Sequence, residues 1–79
     1  MPFRVFVAVK TSAAKMEQVR RYLREQRVVS QACSVYTGPY DIIAVVDVDS
    51  LDDYRRFALY DLPRIDGIED YESFIAIHA

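Results

Sequence analysis

The feature that most constrains the fold of this chain is the order of its strand-like and helix-like patterns of apolar residues. Four segments, residues 3–10, 31–37, 40–48 and 69–78, have the alternating or continuously apolar pattern that is typical of β-strands. Two further segments have apolar residues at helical spacing, one after the first strand and one after the third. The sequence therefore predicts the order strand, helix, strand, strand, helix, strand within 79 residues.

The strand patterns also predict which side chains are buried. The first strand has apolar residues on both of its faces, which indicates burial on both sides. In the second strand, Cys33 alternates with Ala32 and Ser34, and we expect a free, buried thiol there. Gly38 and Pro39 then predict a tight turn into the third strand.

Start and stop signals bound the two helices. The hydroxyls of Thr11 and Ser12 are suitable N-caps for a first helix of about 14 residues. Its predicted buried positions are Met16, Val19 and Leu23. Ser50 is the predicted cap of the second helix, and Pro63 followed by Gly67 ends it. The predicted buried stripe of that helix is Leu51, Tyr54, Ala58 and Leu62, with Phe57 beside it.

This order of elements predicts an α+β fold of the ferredoxin-like βαββαβ type, with residues 1–79 forming one domain. Both helices then pack on one face of a four-stranded antiparallel sheet, and the other face stays uncovered. Because three of the strands carry apolar residues on both faces, burial against a second copy is the least costly solution. The sequence predicts a homodimer that forms sheet to sheet, a dimeric α+β barrel.

Composition limits the classes of partner. A domain of this size buries only roughly 60% of the surface that its unfolded chain exposes, which favours self-association. Ten Lys and Arg against twelve Asp and Glu give a net charge of −2, so direct DNA binding is not expected. One cysteine, no leader pattern and no long apolar run predict a cytoplasmic protein that does not bind membranes.

A turn with polar side chains precedes the third strand. Gly38 can expose backbone N–H and C=O groups to a ligand, and Asp41 offers a carboxylate to a cationic group such as an α-amino group. The alternative is an ordinary hairpin connection, in which Gly38 supplies an unusual backbone angle and Pro39 fixes φ. The residues alone leave both interpretations open.

The same turn carries a family resemblance that spans nearly the whole chain. The run Thr37-Gly38-Pro39-Tyr40-Asp41-Ile42-Ile43-Ala44 resembles the Gly-x-Tyr-Asp turn and following strand of the effector-binding domain of Lrp/AsnC transcriptional regulators, also called the regulation-of-amino-acid-metabolism (RAM) domain. Residues 49–53 and 65–68 are similar to that family in order and spacing. The resemblance implies sheet-paired dimers, rings of dimers such as octamers or decamers, and amino-acid effectors bound between dimers.

The resemblance also implies the site residues. The predicted ligand-binding set is Thr37, Gly38, Pro39, Tyr40, Asp41 and Ser73. The family's last strand commonly has Thr-x-Thr where this chain has Tyr71-Glu72-Ser73, so Ser73 can keep the hydroxyl while Tyr71 replaces a small residue. Because the first strand starts at Phe3, we expect a stand-alone domain without a helix-turn-helix unit, able to join a full-length Lrp/AsnC regulator.

Enzymatic interpretations have less support. The only histidine is His78, so neither a Ser/His/Asp set nor a multi-histidine metal site can form within one subunit, and we predict no catalytic residue, metal or cofactor. Two alternatives stay open: a small dimeric ferredoxin-like α+β-barrel enzyme of the monooxygenase or isomerase type, and a purely structural assembly partner. Capping explains the acidic group Asp47, Asp49, Asp52 and Asp53 more simply than a cation does. The basic group Arg20, Arg21, Arg24 and Arg27 is interpreted as a solvated helix face.

Overall fold

The computed structural model describes residues 3–36 and 38–77, and their elements follow the predicted order. His78 lies outside the described residues. The strands are β1 (Phe3–Thr11), β2 (Val29–Ser34), β3 (Ile42–Val48) and β4 (Ile68–Ile75). The helices are α1 (Met16–Arg24), which follows a 3₁₀ turn (Ala13–Lys15), and α2 (Leu51–Arg56), which continues as a π-helical turn (Phe57–Asp61) and a 3₁₀ turn (Leu62–Arg64). None of these helices is long and apolar enough to cross a membrane.

The four strands form one antiparallel sheet in the order β2-β3-β1-β4. In the two central strands Val7 lies opposite Ala44, and on its other side Val7 lies opposite Ser73 of β4. The predicted ferredoxin-like arrangement is therefore confirmed. The order places β2 and β4 at the two edges.

The hydrophobic core lies between the sheet and the helices. It is formed by alternate residues of the central strands and by one face of each helical segment, because burying a large aliphatic side chain stabilises a fold by about 1.5–3 kcal/mol. Its fully buried members include Val5, Val7, Val9, Val19, Leu23, Ile42, Val46, Phe57 and Leu62.

Strand β2 differs from its predicted position. It covers Val29–Ser34 rather than 31–37, and Cys33 is exposed rather than buried. Ala32 faces the core, so the alternation of side chains directs Cys33 to the uncovered face of the sheet. Because β2 is an edge strand, no further strand shields the thiol. The predicted buried thiol is wrong.

The connection from β2 to β3 is longer than the predicted tight turn. Ser34 and Ile42 form the last pair of the two strands, so residues 35–41 make the connection. No positive φ is found at Gly38, so the alternative interpretation, in which this glycine supplies an unusual backbone angle to a hairpin, is not supported. Gly67 is the glycine with a positive φ, at 107°, where the chain passes close to Lys15.

The second helical segment begins as predicted and then changes its pitch. The Asp53 N–H donates to Ser50 Oγ at 3.1 Å, which confirms the cap. Further along, the Leu62 N–H donates to the Phe57 carbonyl, five residues back, as in a π-helix. The buried face of the segment is formed by Phe57, Ala58 and Leu62, whereas Leu51 is the first residue of α2 and is 47% exposed. Its predicted burial is wrong.

The second face of the sheet carries no helix. Phe6 and Phe74 lie opposite each other on this open face and are 38% and 54% exposed. Val45 and Ile43 extend the apolar surface onto β3. Because an exposed aromatic pair keeps apolar area in water, the face is suited to cover by another apolar surface. The predicted homodimer stays a prediction at this point.

Candidate functional site

The turn that precedes β3 is held at the end of the sheet by Asp41. Its backbone N–H donates to the Val9 carbonyl at 2.9 Å, and its carbonyl accepts from the Val35 N–H at 2.9 Å. Its carboxylate oxygen Oδ2 accepts from the Thr11 N–H, also at 2.9 Å. Asp41 therefore closes the connection and caps the end of β1.

The second carboxylate oxygen of Asp41, Oδ1, has no hydrogen bond with the described residues. Asp41 is half-buried, and Oδ1 is a carboxylate acceptor without a donor among the described residues. Such an arrangement can accept a hydrogen bond from a ligand's ammonium group while Oδ2 stays on Thr11.

Gly38 and Pro39 form the exposed part of the turn. A Cβ at Gly38 would lie 3.9 Å from the Tyr40 nitrogen, which is an ordinary van der Waals distance. The glycine is therefore not required by backbone packing. Thr37, the first predicted ligand residue, lies outside the described residues.

Tyr40 links the turn to the far edge of the sheet. Its hydroxyl faces the Glu72 carboxylate, which raises the pKa of Tyr40 as an acceptor and through its charge, and burial and the negative charge of Asp70 act in the same direction. Glu72 lies opposite Ala8 on the open face, so the Tyr40 side chain crosses β1 to reach β4. The sequence analysis did not identify Glu72 as a site residue, because the contact depends on strand order.

Ser73 lies on the helix side of β4, the opposite side from Glu72. Its hydroxyl hydrogen-bonds with the Tyr54 hydroxyl of α2. Two residues earlier on the same side, the Tyr71 hydroxyl donates to the Ala58 carbonyl at 3.4 Å. Burial raises the pKa of the Tyr54 hydroxyl. Within one chain these hydroxyls tie α2 and the π-helical turn that follows it to β4, and Ser73 makes no described contact with the Gly38–Asp41 turn.

Thr11 also contacts the turn, through its backbone N–H, and the sequence analysis did not identify it as a site residue. Its side chain is buried, with 5% of the residue exposed, and its hydroxyl has no hydrogen-bond partner among the described residues. Thr11 continues the alternation that buries Val9, which directs its side chain to the core side of the sheet. The register shift beside it leaves the extra residue on β4, where Lys10 pairs with Asp70 and Thr11 with Ile68. The alternation of β1 therefore indicates the side on which Thr11 lies, whereas its contact with Asp41 depends on the strand order.

A cleft of about 530 Å³ opens on the helix side, where the segment after α1 approaches α2 and the end of β3. Its floor is apolar and its rim is charged. The lining residues are Arg27, Val28, Asp47, Val48, Asp49, Asp53, Arg56, Phe57 and Asp61. The Asp47 carboxylate is paired with Arg4 at 2.8 Å. Among the residues described, no His, Cys, Asp and Glu side chains form a group suited to a metal ion.

Comparison with protein families and sequences gives a consistent result. Residues 4–79 match the family model described as the Lrp/AsnC ligand binding domain. Over 70 residues the chain is 36% identical to the uncharacterized HTH-type transcriptional regulator PH0140 of Pyrococcus horikoshii, which covers 89% of this chain and 44% of that protein. The chain thus spans less than half the length of this curated relative. A domain organisation without a helix-turn-helix unit stays a prediction.

Solved structures show the same architecture. FFRP-DM1 has a TM-score of 0.89 at 31% identity, with 95% of this chain and 99% of that chain covered. The transcriptional regulator NMB0573 of Neisseria meningitidis, solved as a complex with L-Met, has a TM-score of 0.82 at 19% identity. That match covers 96% of this chain and 50% of the regulator and shows the shared fold alone.

Proposed function

This chain belongs to the Lrp/AsnC ligand-binding domain family, and from that premise we propose that it is a non-enzymatic module that binds a small effector and assembles with other copies in the regulation of transcription. The observation that carries the proposal is the Asp41 carboxylate, with one oxygen held by the Thr11 N–H and the other without a hydrogen bond to the residues that the structure describes. We place this role in the cytoplasm, where a bacterial or archaeal regulator meets DNA.

The proposed effector is an amino acid. Its ammonium group would bind Asp41 Oδ1, and its carboxylate would accept hydrogen bonds from backbone donors near Gly38. Thr37, Pro39 and Tyr40 would complete the cleft on the same chain. The L-Met complex of the Neisseria meningitidis regulator supports an amino acid as the class of ligand for this fold.

Ser73 belongs to the proposed site only across a contact between dimers. Its hydroxyl is engaged with Tyr54 on the helix side of β4, away from the Asp41 turn of its own chain. A neighbouring dimer can bring its own Ser73 edge toward that turn. Effector binding and assembly would then be coupled, because a ligand that prefers one assembly shifts the population toward it.

The open face of the sheet is the proposed dimer surface. Phe6 and Phe74 lie side by side there and remain partly exposed in a single chain. Pairing two such faces would remove both aromatic pairs from water and leave the helices on the outside. We further propose, from the family resemblance, that such dimers assemble into rings, octamers or decamers, and that they can join a full-length Lrp/AsnC regulator in mixed assemblies.

The alternative of a small enzyme has less structural support. It requires tyrosine hydroxyls that point freely into a cavity, whereas the Tyr54 and Tyr71 hydroxyls are bonded to Ser73 and to the Ala58 carbonyl. These bonds serve the packing of α2 and the π-helical turn on β4.

A thermal-shift screen against the twenty amino acids, with molecular mass read by light scattering, tests the proposal. A ligand at 100 times its Kd stabilises the folded state by about 2.7 kcal/mol. For a domain of this size that corresponds to a rise in Tm of about 10–20 °C. A dimer whose Tm no amino acid changes would reject amino-acid sensing in favour of a structural assembly partner.

Asp41→Asn is the sharpest variant for the screen. The amide oxygen can still accept from the Thr11 N–H, while the charge for the ammonium group is lost. Glu69→Gln is the matched control, because Glu69 is an exposed carboxylate on β4 with no ion pair among the described residues. The ligand-induced shift should disappear in Asp41→Asn and persist in Glu69→Gln. An unchanged shift in Asp41→Asn would contradict the ammonium contact.

A further inference from the structure

Charge is divided unevenly along the chain. Residues 1–36 carry seven Lys and Arg against two Asp and Glu, whereas residues 37–79 carry three against ten. The first part therefore has a net charge of +5 and the second part −7, although the whole chain is only at −2. Such an asymmetry separates the molecule into two surfaces of opposite sign.

The positive surface is the exposed side of α1 and the segment after it. Arg21, Arg24 and Arg27, named here the arginine face, are exposed and make no ion pair with the described residues. Their positive charge acts on Glu17, one turn earlier in α1. The pKa of the Glu17 carboxyl is lowered first by its hydrogen bond with Arg20 and further by the charges of Arg21 and Arg24. The face therefore presents uncompensated guanidinium groups to the solvent.

The negative surface lines the cleft of about 530 Å³ on the helix side. Asp49, Asp53 and Asp61, named here the acidic cleft, have no ion pair with the residues that the structure describes. The other acidic lining residue, Asp47, is neutralised by Arg4, and the lining residue Arg56 is paired with Asp52 at 3.4 Å. Among the lining residues, three carboxylates and one arginine, Arg27, are therefore without an ion pair to the described residues, so the cleft has an excess of negative charge.

The floor of the cleft suits an arginine side chain. Val48 and Phe57 form part of it and are core residues with 3% and 2% exposure. An arginine can pack its methylene stem along such a surface while its planar guanidinium pairs with carboxylates, often through two hydrogen bonds. The volume lies within the range of about 300–1,000 Å³ that is typical of occupied clefts.

The two surfaces lie next to each other on the helix side, because Arg27 also lines the cleft. We propose that the arginine face of one copy docks on the acidic cleft of a second copy, and that the two copies exchange this contact reciprocally. Such an isologous contact doubles each ion pair. The inference rests on the proposed sheet-to-sheet dimer, which leaves both surfaces outward, so this contact joins one dimer to the next.

A second copy fits the arginine face better than nucleic acid does. The acidic residues beside the face and the net charge of −2 repel a phosphate backbone, whereas they supply the complement for another copy. Contact between two acidic clefts or two arginine faces is disfavoured by like charges. The charge pattern therefore selects the reciprocal pairing.

Light scattering at two salt concentrations gives the first test. Exposed charges interact over a Debye length of about 30 Å at 0.01 M salt and about 3 Å at 1 M. We expect a mass above that of the dimer at 0.01 M and a return to the dimer at 1 M. A mass that does not change with salt would overturn the contact.

Charge reversal and mixing identify the surfaces. Arg21→Glu/Arg24→Glu makes both surfaces acidic, and Asp49→Lys/Asp61→Lys makes both basic. Each double variant alone should remain a dimer at 0.01 M salt, because its two surfaces then carry charge of the same sign. An equimolar mixture of the two variants should regain the higher mass, because the acidic surfaces of one variant can pair with the basic surfaces of the other. Circular dichroism verifies that both variants are folded. Retention of the higher mass by either variant, or no recovery in the mixture of folded dimers, would overturn the proposal.

Two further readouts separate this contact from the proposed function. A protein that is dimeric at 1 M salt and responds to an amino acid, but shows no salt-dependent association, overturns the docking contact alone. A monomer at 1 M salt overturns the sheet-to-sheet dimer, and with it the joining of dimers proposed here. Binding of duplex DNA at 0.15 M salt that Arg21→Glu/Arg24→Glu abolishes, without self-association, would assign the arginine face to nucleic acid instead.

Discussion

Asp41 Oδ2 accepts a hydrogen bond from the backbone N–H of Thr11 at 2.9 Å across 30 residues of sequence. This bond ties the connection before β3 to the end of β1. It also gives Asp41 a structural role that is separate from any ligand contact. Variants of Asp41 must therefore be judged on stability and on binding separately.

Asp41→Ala should lower the free energy of unfolding. It leaves the partly buried Thr11 N–H without its acceptor, at a cost of about 1–3 kcal/mol. Asp41→Asn retains an acceptor oxygen and should lose much less. Urea denaturation in the absence of ligand measures both. Equal losses in the two variants would show that the charge of Asp41, rather than the hydrogen bond, stabilises the fold.

Thr11→Val should raise the free energy of unfolding by about 1 kcal/mol. The Thr11 hydroxyl is buried without a partner among the described residues, and valine has nearly the same shape without that unsatisfied group. The backbone bond to Asp41 is retained in this variant. The same denaturation experiment applies, with Ser34→Val as the control, an exposed position of β2 where little change is expected. A loss of stability in Thr11→Val would reveal a partner for the hydroxyl.

The two glycines should respond differently to alanine. At Gly67 a Cβ would lie 2.8 Å from the Lys15 Cβ, and φ is 107°, so Gly67→Ala should destabilise the fold by about 1–3 kcal/mol. Gly38→Ala meets only ordinary contact distances and should fold normally. Thermal unfolding compares the pair. A large loss at Gly38 would indicate that the loop requires a glycine for packing.

The Arg4–Asp47 pair should make stability depend on pH in the acid range. The Arg4 guanidinium hydrogen bond lowers the pKa of Asp47, and Ser30 acts in the same direction. A carboxyl with a lowered folded pKa contributes stability above its unfolded pKa, about 3.9, and loses it as pH falls through the folded value. In Arg4→Gln the pair is absent, so the difference in Tm from wild type should shrink between about pH 4 and pH 2. A constant difference would contradict this linkage.

Phe6→Glu should convert the proposed dimer into a monomer of 9.2 kDa. Phe6 lies opposite Phe74 on the open face, where a carboxylate would be desolvated by a second copy. Tyr60→Glu is the control, because Tyr60 is a 59% exposed aromatic residue on the helical segment. Sedimentation at 0.5 M salt, which suppresses contacts between charged surfaces, compares them. A dimeric Phe6→Glu would contradict pairing through the open face.

The fold could be predicted from the sequence because the alternating pattern of the strands and the helical spacing of the two helices are easily distinguished. The order of strands and helices and the Ser50 cap depend on local patterns that the chain contains within a few residues. The exposure of Cys33 was not readable, because it depends on β2 being an edge strand. The sequence pattern of one segment contains no information about its position in the sheet.

The candidate site was predicted only in part. The turn residues from Gly38 to Asp41 are contiguous, so a motif identified them. The contact between Tyr40 and Glu72 and the bond between Asp41 and Thr11 join residues about 30 apart and depend on register. Ser73 was assigned by resemblance, and its bond to Tyr54 depends on how α2 packs over β4.

The π-helical turn Phe57–Asp61 contains one residue more than an α-helix would use over the same rise. A homologue with a regular helix here would therefore be one residue shorter, and its alignment with this chain would need a gap inside the helix. If the gap were placed in the loop before Ser50 instead, every residue of Leu51–Arg56 would be matched to the wrong helical position. Deleting a single residue within the turn is thus a change of length that this helix can absorb while keeping Phe57 buried.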